Sequence, residues 1–184
     1  VPEELKDEKM CRAAVEKYGD ALGFVPEAVQ LANPDICMAA VQQHGEALQY
    51  VPADLRDEKM CMAAVQQDWE ALQDVPADVQ MAHPAIPLDA VRQNWEALYD
   101  VPEDVQLNNP DICMAAIAKN DWALQDVPEA VQLNNPDIPL AAVQYGWHLD
   151  YVPEAVQLAH PHIPLAAVKR NGMALRYVPE SLKT

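Results

Sequence analysis

Four cysteines are the side chains best suited to chemistry, and their spacing restricts what they can do. Each is followed, after one intervening residue, by Ala-Ala-Val or Ala-Ala-Ile, so equivalent positions on successive helices hold Cys11, Cys37, Cys61 and Cys113. Neighbouring helices lie about 8–10 Å apart, whereas a disulfide needs Cα atoms within about 7 Å of each other. We therefore expect four buried free thiols, with redox or metal chemistry as the alternative. Free thiols would suit a reducing, intracellular compartment.

The five histidines and the few hydroxyl side chains do not form a recognisable site. Only His160 and His162 lie close in sequence, and one pair has too few ligands for a structural zinc. We expect surface or capping roles, with adventitious metal binding by that pair as the alternative. Ser181 and Thr184 are the only serine and threonine, and the sequence has no phosphate-binding loop, dinucleotide fingerprint or His-Glu-x-x-His pair. The sequence predicts no enzyme, no cofactor and no metal centre.

Negative charge is concentrated in the middle of the chain. The formal net charge is −17, and residues 68–137 hold 14 acidic residues against only Arg92 and Lys119. Such a field repels phosphate backbones, so nucleic acid is not an expected partner. Two interpretations stay open: a solvated acidic surface that keeps the protein soluble, or a surface for a basic protein partner. No apolar run approaches the roughly 18 residues of a membrane span, so no membrane insertion is expected.

The elements that must position these residues repeat along the chain. The dipeptide Val-Pro begins at Val1, Val25, Val51, Val75, Val101, Val127, Val152 and Val178. Seven copies are thereby defined, which we number 1 to 7, over residues 1–24, 25–50, 51–74, 75–100, 101–126, 127–151 and 152–177; residues 178–184 begin a partial eighth copy. A period of this length is typical of a solenoid, in which each unit buries its apolar face against its neighbours. We expect one domain over residues 1–184.

Within a copy the apolar spacing is helical. In copy 1, Cys11, Ala14, Val15 and Tyr18 follow the i, i+3, i+4, i+7 pattern of one helix face. An Asn before a Pro, as at residues 33 and 34, is a helix start signal, and glycines such as the one at residue 19 are expected to end that helix in a left-handed conformation. A second, shorter helix carries a leucine three residues before each Val-Pro. The prediction is an all-α protein, an α-solenoid of seven helix-turn-helix repeats with a partial C-terminal repeat.

The repeat unit resembles a known family. The pattern acid-x-x-Met-Cys-x-Ala-Ala-Val-x-x-x-Gly-x-Ala-Leu-x-Tyr-Val-Pro-Glu-x-Leu is similar to the tandem repeats catalogued as domain of unknown function 4116. The resemblance covers the entire chain and is closest in the segments DEKMCMAAVQQDWEALQDVPADV and AAVKRNGMALRYVPESL. The Asn-Pro connections, with two extra residues, depart from the family pattern. The resemblance implies an α-helical repeat, and it brings no activity, cofactor or catalytic residue with it.

The central copies hold the residues most suited to a partner. Aromatic side chains supply contact energy and acidic ones steer a basic protein, so the candidate partner-binding residues are Trp69, Trp95, Trp122, Trp147, Asp100, Asp104 and Asp126. Packing of the tryptophans around the turn between helices is the alternative. We expect a non-enzymatic interaction scaffold or a structural subunit of a larger assembly. Two other hypotheses are a recruiting or targeting module of a larger enzyme or effector, and a divalent-cation buffer, which lacks a calcium-loop pattern.

Overall fold

The computed structural model describes residues 8–145 and 148–183, and every regular element in those ranges is helical, with no strand. The predicted all-α class is confirmed. Two compact units divide the chain, an N-terminal unit of residues 1–93 and a C-terminal unit of residues 94–184. The single domain expected over residues 1–184 stays a prediction.

The N-terminal unit contains six α-helices in its described part. They are α1 Glu8–Lys17, α2 Glu27–Ala32, α3 Pro34–Gln43, α4 Glu58–Gln67, α5 Ala77–Ala82 and α6 Ala85–Gln93. Between them lie 3-10 helices over Gly19–Phe24, Gly45–Tyr50, Ala53–Leu55 and Trp69–Asp74. The three-residue 3-10 helix belongs to copy 3, whose connection lacks the Asn-Pro pair and two residues, and it replaces the short α-helix there.

The C-terminal unit repeats the same order of elements. Its α-helices are α7 Glu103–Asn108, α8 Pro110–Lys119, α9 Glu129–Asn134, α10 Asp137–Tyr145, α11 Glu154–Ala159 and α12 His162–Arg170. Its 3-10 helices cover Trp95–Asp100, Asp121–Asp126, Leu149–Tyr151, Gly172–Tyr177 and Glu180–Leu182. A complete copy thus has a short α-helix, a long α-helix and a 3-10 helix. The leucine expected on a second α-helix lies on the 3-10 helix, and Val-Pro then opens the short α-helix, because proline fits a first helical turn and stops the preceding one.

The Asn-Pro connections start the long helices, but the asparagine acts differently from the prediction. Pro34 is the first residue of α3, as expected. The Asn33 side chain makes no cap hydrogen bond to α3; its Nδ2 donates to the Val29 carbonyl oxygen at 3.0 Å. Asn109 donates in the same way to Val105 at 2.9 Å. The side chain therefore closes the end of the short helix, whose last carbonyls have no partner within the helix.

Successive copies pack on one another inside each unit. In the N-terminal unit α3 packs on α1, α4 on α3 and α6 on α4, and each of these three also packs on the 3-10 helix of the preceding copy. In the C-terminal unit α10 packs on α8 and α12 on α10, while the short helices α7, α9 and α11 contact in sequence. The leucine of each 3-10 helix lies at these junctions and is buried in copies 1 to 6, as Leu22, Leu48, Leu72, Leu98, Leu124 and Leu149.

The glycines have a packing role in place of the predicted conformational one. No described glycine has a positive φ, so none ends its helix in the left-handed region. A Cβ on Gly19 would lie 2.9 Å from the carbonyl oxygen of Ala40, and a Cβ on Gly45 would lie closer still to that of Ala64. Glycine therefore lets the long helix of the next copy approach the 3-10 helix.

A ladder of buried glutamines was not anticipated from the sequence. Each of them follows the Val of a Val-Pro by five residues: Gln30, Gln80, Gln106, Gln132 and Gln157. Gln132 Nε2 donates to the Val127 carbonyl at 2.9 Å and to the Tyr151 carbonyl of the same copy's 3-10 helix at 3.4 Å. In copy 3 the equivalent residue is Arg56, which donates to the Asp74 carbonyl at 2.7 Å. These side chains satisfy carbonyls that the 3-10 helices leave open, and an unsatisfied buried carbonyl is costly.

Candidate interaction surface

Three aromatic rings meet on the 3-10 helices of the C-terminal unit. The Trp122 ring centroid lies 4.6 Å from that of His148 and 5.8 Å from that of Tyr151, and the His148 and Tyr151 rings stack at 5.5 Å. Trp122 is 50% exposed, although it is a large apolar side chain. Aromatic side chains in this tilted and stacked arrangement form a rigid platform with one face open to a partner.

Local sequence explains how Trp122 is presented. The Asn120 side chain accepts a hydrogen bond from the Trp122 backbone N–H at 3.2 Å, which starts the 3-10 helix Asp121–Asp126. The next residues, Ala123 and Leu124, are both buried, and the Trp122 side chain therefore lies on the solvent side of the helix. Burial of the leucine thus fixes the orientation of the tryptophan.

His148 differs from the surface or capping role expected of it. It occupies the slot that holds a buried alanine in the equivalent 3-10 helices, as at Ala97 and Ala123, and it is buried. Its Nε2 lies 3.4 Å from Asp121 Oδ2, and this carboxylate is itself largely shielded from solvent. The imidazole therefore has a polar partner in Asp121 and packs against the Trp122 ring.

A second pair of rings lies on the preceding 3-10 helix. The centroids of Trp95 and Tyr99 are 6.1 Å apart, and Tyr99 is 60% exposed. Partial burial of the hydroxyl, followed by the negative charge and hydrogen bond of Asp126, raises the pKa of Tyr99. Asp126 connects this pair to the Trp122 cluster, since it ends the 3-10 helix that begins beside Trp122. We call Trp95, Tyr99, Trp122, Tyr151 and Asp126 the aromatic–acidic surface.

The other predicted binding residues have different positions. Trp69 is half-buried on a 3-10 helix of the N-terminal unit, and Trp147 lies outside the described residues. Asp100 is half-buried, and Asp104 is exposed on the short helix α7. Of the seven candidates, the structure brings Trp95, Trp122 and Asp126 onto neighbouring 3-10 helices of the C-terminal unit.

Sequence reasoning missed Tyr99 and His148 as members of this cluster. A signal was present for both, because each replaces the residue type found at its slot in other copies: glutamine at residues 49, 73 and 125 for Tyr99, and alanine for His148. Such departures from the repeat mark the positions where one copy differs from the others.

A pocket of about 340 Å³ adjoins the Trp122 ring. Its described walls include Trp122, His148, Met173 and Tyr177, with Asp150, Asn171 and Arg176 as polar groups. Such a concavity, mostly apolar with a few polar groups, is suited to one side chain of a partner.

The cysteines form no part of this surface. All four are free and buried, as predicted. Burial raises the pKa of Cys37 and of Cys61 to about 11 and that of Cys113 to about 12. Thiols with so little thiolate at neutral pH are poor nucleophiles.

Residues 8–145 and 148–183 contain neither a metal-ligand cluster nor a membrane-spanning helix. No group of three or more His, Cys, Asp or Glu side chains in those ranges is arranged to hold a metal ion. His160 and His162 have ring centroids 6.0 Å apart, and His160 Nε2 is 2.9 Å from the Leu133 carbonyl oxygen. Within the same ranges no helix combines the length and apolar character needed to cross a bilayer.

Comparison with known proteins gives a family and no activity. Residues 33–80 match the family described as Domain of unknown function (DUF4116). This segment runs from the Asn-Pro start of α3 to the buried glutamine of α5, and therefore includes the complete copy 3. Comparisons with curated proteins and with solved structures gave no significant match. Residues 33–80 of this chain thus match the family that the repeat unit resembles.

Proposed function

We propose that the protein is a non-enzymatic interaction module whose C-terminal unit binds a basic protein segment on the aromatic–acidic surface. The observation that carries the proposal is the exposure of Trp122 at the centre of a packed aromatic cluster. Tryptophan and tyrosine supply much of the energy of protein interfaces, and half-exposed rings held rigidly lose little entropy on binding. A monomeric protein rarely leaves such a cluster open to water without a use for it.

Charge supports a basic partner. Residues 94–137 carry nine acidic residues and only Lys119 as a basic one. Asp126 is half-buried at this surface, and its negative charge would attract a lysine or arginine of a partner. The surrounding charge would speed association, while the rings would determine how slowly the complex dissociates.

The partner segment we propose has a basic face and an apolar anchor. An aliphatic or aromatic side chain would enter the pocket beside Trp122, and the basic side chains would lie toward Asp126 and Asp121. This arrangement separates two contributions, since salt screens the charges and leaves the apolar contact largely unaffected.

A designed peptide tests the proposal. The probe is an amphipathic helical peptide with lysines on one face and leucines with one tryptophan on the other, and isothermal titration calorimetry measures its affinity at low and at physiological salt. We expect binding that weakens with salt and that Trp122→Ala reduces at least about tenfold, as for a typical interface hot spot. Asp126→Asn should slow association, and Trp95→Ala should mainly speed dissociation.

Matched controls make the outcome specific. Gln125→Ala removes an exposed side chain from the same 3-10 helix and should leave the affinity unchanged. A second peptide with glutamates in place of the lysines should not bind. Binding that is insensitive to salt, or equally strong in Trp122→Ala, would place the surface elsewhere and leave the fold unaffected.

A further inference from the structure

The end of copy 7 exposes an apolar face that every earlier copy buries. Leu175 is 48% exposed, whereas the equivalent leucines of copies 1 to 6 are at most 1% exposed: Leu22, Leu48, Leu72, Leu98, Leu124 and Leu149. Val168, Leu175 and Leu182 line an apolar pocket of about 260 Å³ there. We call the exposed surface of Leu165, Val168, Met173 and Leu175 the C-face.

The same chain shows what covers this kind of face. Inside the N-terminal unit, α3 covers the 3-10 helix of copy 1, α4 that of copy 2 and α6 that of copy 3; in the C-terminal unit, α10 covers that of copy 5. In each case the cover is a long helix, which carries Ala-Ala-Val in α3, α4 and α10 and Asp-Ala-Val in α6. The matching occupant of the C-face is therefore another helix of this type.

The face that the other long helices pack against the preceding copy is exposed on α1. Met10 and Ala14 are both exposed there. In every other long helix the equivalent residues are buried, as Ile36, Met60, Ile86, Ile112, Ile138 and Ile163 for Met10, and as Ala40, Ala64, Ala90, Ala116, Ala142 and Ala167 for Ala14. These positions face the preceding copy, because each of these helices packs on the copy before it. We call Met10, Ala14 and Tyr18 the N-face.

We propose that the C-face binds the N-face of a second copy of this chain, so that the protein associates head to tail. The interface repeats the junction between consecutive copies within a unit. Ala14 of the second molecule would cover Leu175, and Met10 would lie near Val168. Burying exposed leucine, valine and methionine side chains supplies the driving force, as it does at the internal junctions.

Two further positions complement each other. At the junction of copies 1 and 2, His44 Nδ1 lies 2.5 Å from Asp20 Oδ1. The residue equivalent to His44 on the N-face is Tyr18, and the residue equivalent to Asp20 on the C-face is Met173. They are 68% and 67% exposed, so an apolar contact between these two would replace the ion pair of the internal junction.

Gly172 provides the space for the approaching helix. Cβ atoms on Gly19 and Gly45 would collide with the carbonyl oxygens of Ala40 and Ala64 in the following copy, whereas a Cβ on Gly172 meets nothing within 4 Å. The surface at Gly172 is thus open and has the same small residue that admits the next helix in copies 1 and 2. The carbonyl of Ala14 from a second molecule would occupy this position.

A head-to-tail contact is heterologous, because different surfaces of the two molecules meet, and this property gives a sharp test. Sedimentation velocity over a wide range of protein concentration should show the wild type growing beyond the chain mass of 20.4 kDa. Leu175→Glu removes the C-face and Ala14→Glu removes the N-face; each variant alone should stay monomeric, with its dissociation constant raised at least about a hundredfold by a buried unpaired charge. An equimolar mixture of the two should form a 1:1 dimer and nothing larger, since one intact N-face and one intact C-face remain.

Controls keep this test interpretable. Leu158→Glu makes the same substitution at an exposed leucine of α11 outside the C-face and should associate like the wild type. Circular dichroism checks folding, and Leu165→Glu, at another exposed position of the C-face, replaces Leu175→Glu if that variant does not fold. A wild type that stays monomeric at all concentrations, a mixture that does not form dimers, or Ala14→Glu forming dimers by itself would overturn the proposal.

Discussion

The Cys113 thiol donates a hydrogen bond to Gln106 Oε1 at 3.3 Å, and the Cys37 thiol donates to Gln30 Oε1 at 3.4 Å in the same way. In copies 6 and 7 the Oε1 atoms of Gln132 and Gln157 are buried without a hydrogen-bond partner among the described residues. Seven residues after each of these glutamines, where the thiol would stand, the sequence has Pro139 and Pro164. Proline has no side-chain hydrogen-bond donor. The cysteine therefore determines whether the Oε1 atom of the glutamine in its copy has a hydrogen-bond partner.

Replacing Cys113 should therefore test the hydrogen bond as well as the packing. Cys113→Ala leaves Gln106 Oε1 buried without a donor, which we expect to cost about 1–3 kcal/mol of unfolding free energy. Cys113→Ser keeps a hydroxyl donor at nearly the same volume and should cost less than the alanine variant. Urea unfolding of both variants checks the order. Equal losses would mean that the thiol contributes only by filling space.

High pH should weaken the contribution of Cys113. Burial raises its pKa from 9.0 to about 12, so the folded state keeps the proton that the unfolded state loses. The contribution is fully present below about pH 9 and is lost as the pH rises toward 12. At one pH unit above the unfolded pKa the loss is about 1.4 kcal/mol. The measurement is the unfolding free energy of the wild type minus that of Cys113→Ser at about pH 7.5 and about pH 10; a constant difference would contradict the prediction.

Removing the core leucine of one copy should destabilise the fold far more than changing its neighbour. Leu124 is fully buried between copies, whereas Gln125 on the same 3-10 helix is exposed. We expect Leu124→Ala to cost about 2–5 kcal/mol and Gln125→Ala less than about 0.5 kcal/mol. Thermal and urea unfolding provide the comparison, and similar midpoints for the two variants would show that the junction is not tightly packed.

The His44–Asp20 pair predicts a shifted histidine titration. A hydrogen bond to Asp20 raises the pKa of His44 and outweighs the opposing effect of desolvation, and the charge of Asp20 raises the pKa further. Asp20→Asn should therefore lower this pKa, which NMR of the imidazole Cε1 proton measures directly. Because the folded pKa is raised, the stabilisation from this pair is present below the unfolded pKa and is lost as the pH rises through the folded one. Glu27→Gln, another exposed acid of the N-terminal unit, is the control and should leave the titration unchanged.

The sequence alone determines the helical class of this protein and which residues occupy equivalent positions in successive copies. The Val-Pro period and the apolar spacing are local properties, and together they locate the long helices, the row of free cysteines and the leucine three residues before each Val-Pro, which is buried in copies 1 to 6. They do so because the same pattern satisfies the same burial requirement in every copy. The family resemblance implies the same helical class and gives no information about activity.

Only the tertiary structure shows the role of each glycine and the burial of polar side chains, because these depend on which atoms come close in space. Gly19 looks like a helix terminator in sequence and is in fact a point of close approach, because the carbonyl of Ala40 comes within reach only after α3 has packed. Gln106 is polar and yet buried, because the Val101 carbonyl and the Cys113 thiol provide hydrogen-bond partners for its side chain. His148 is buried for the same reason, since Asp121 and Trp122 approach it from the preceding copy. Periodicity specifies which residues recur, whereas hydrogen-bond partners and exposed faces follow from how the helices approach each other in space.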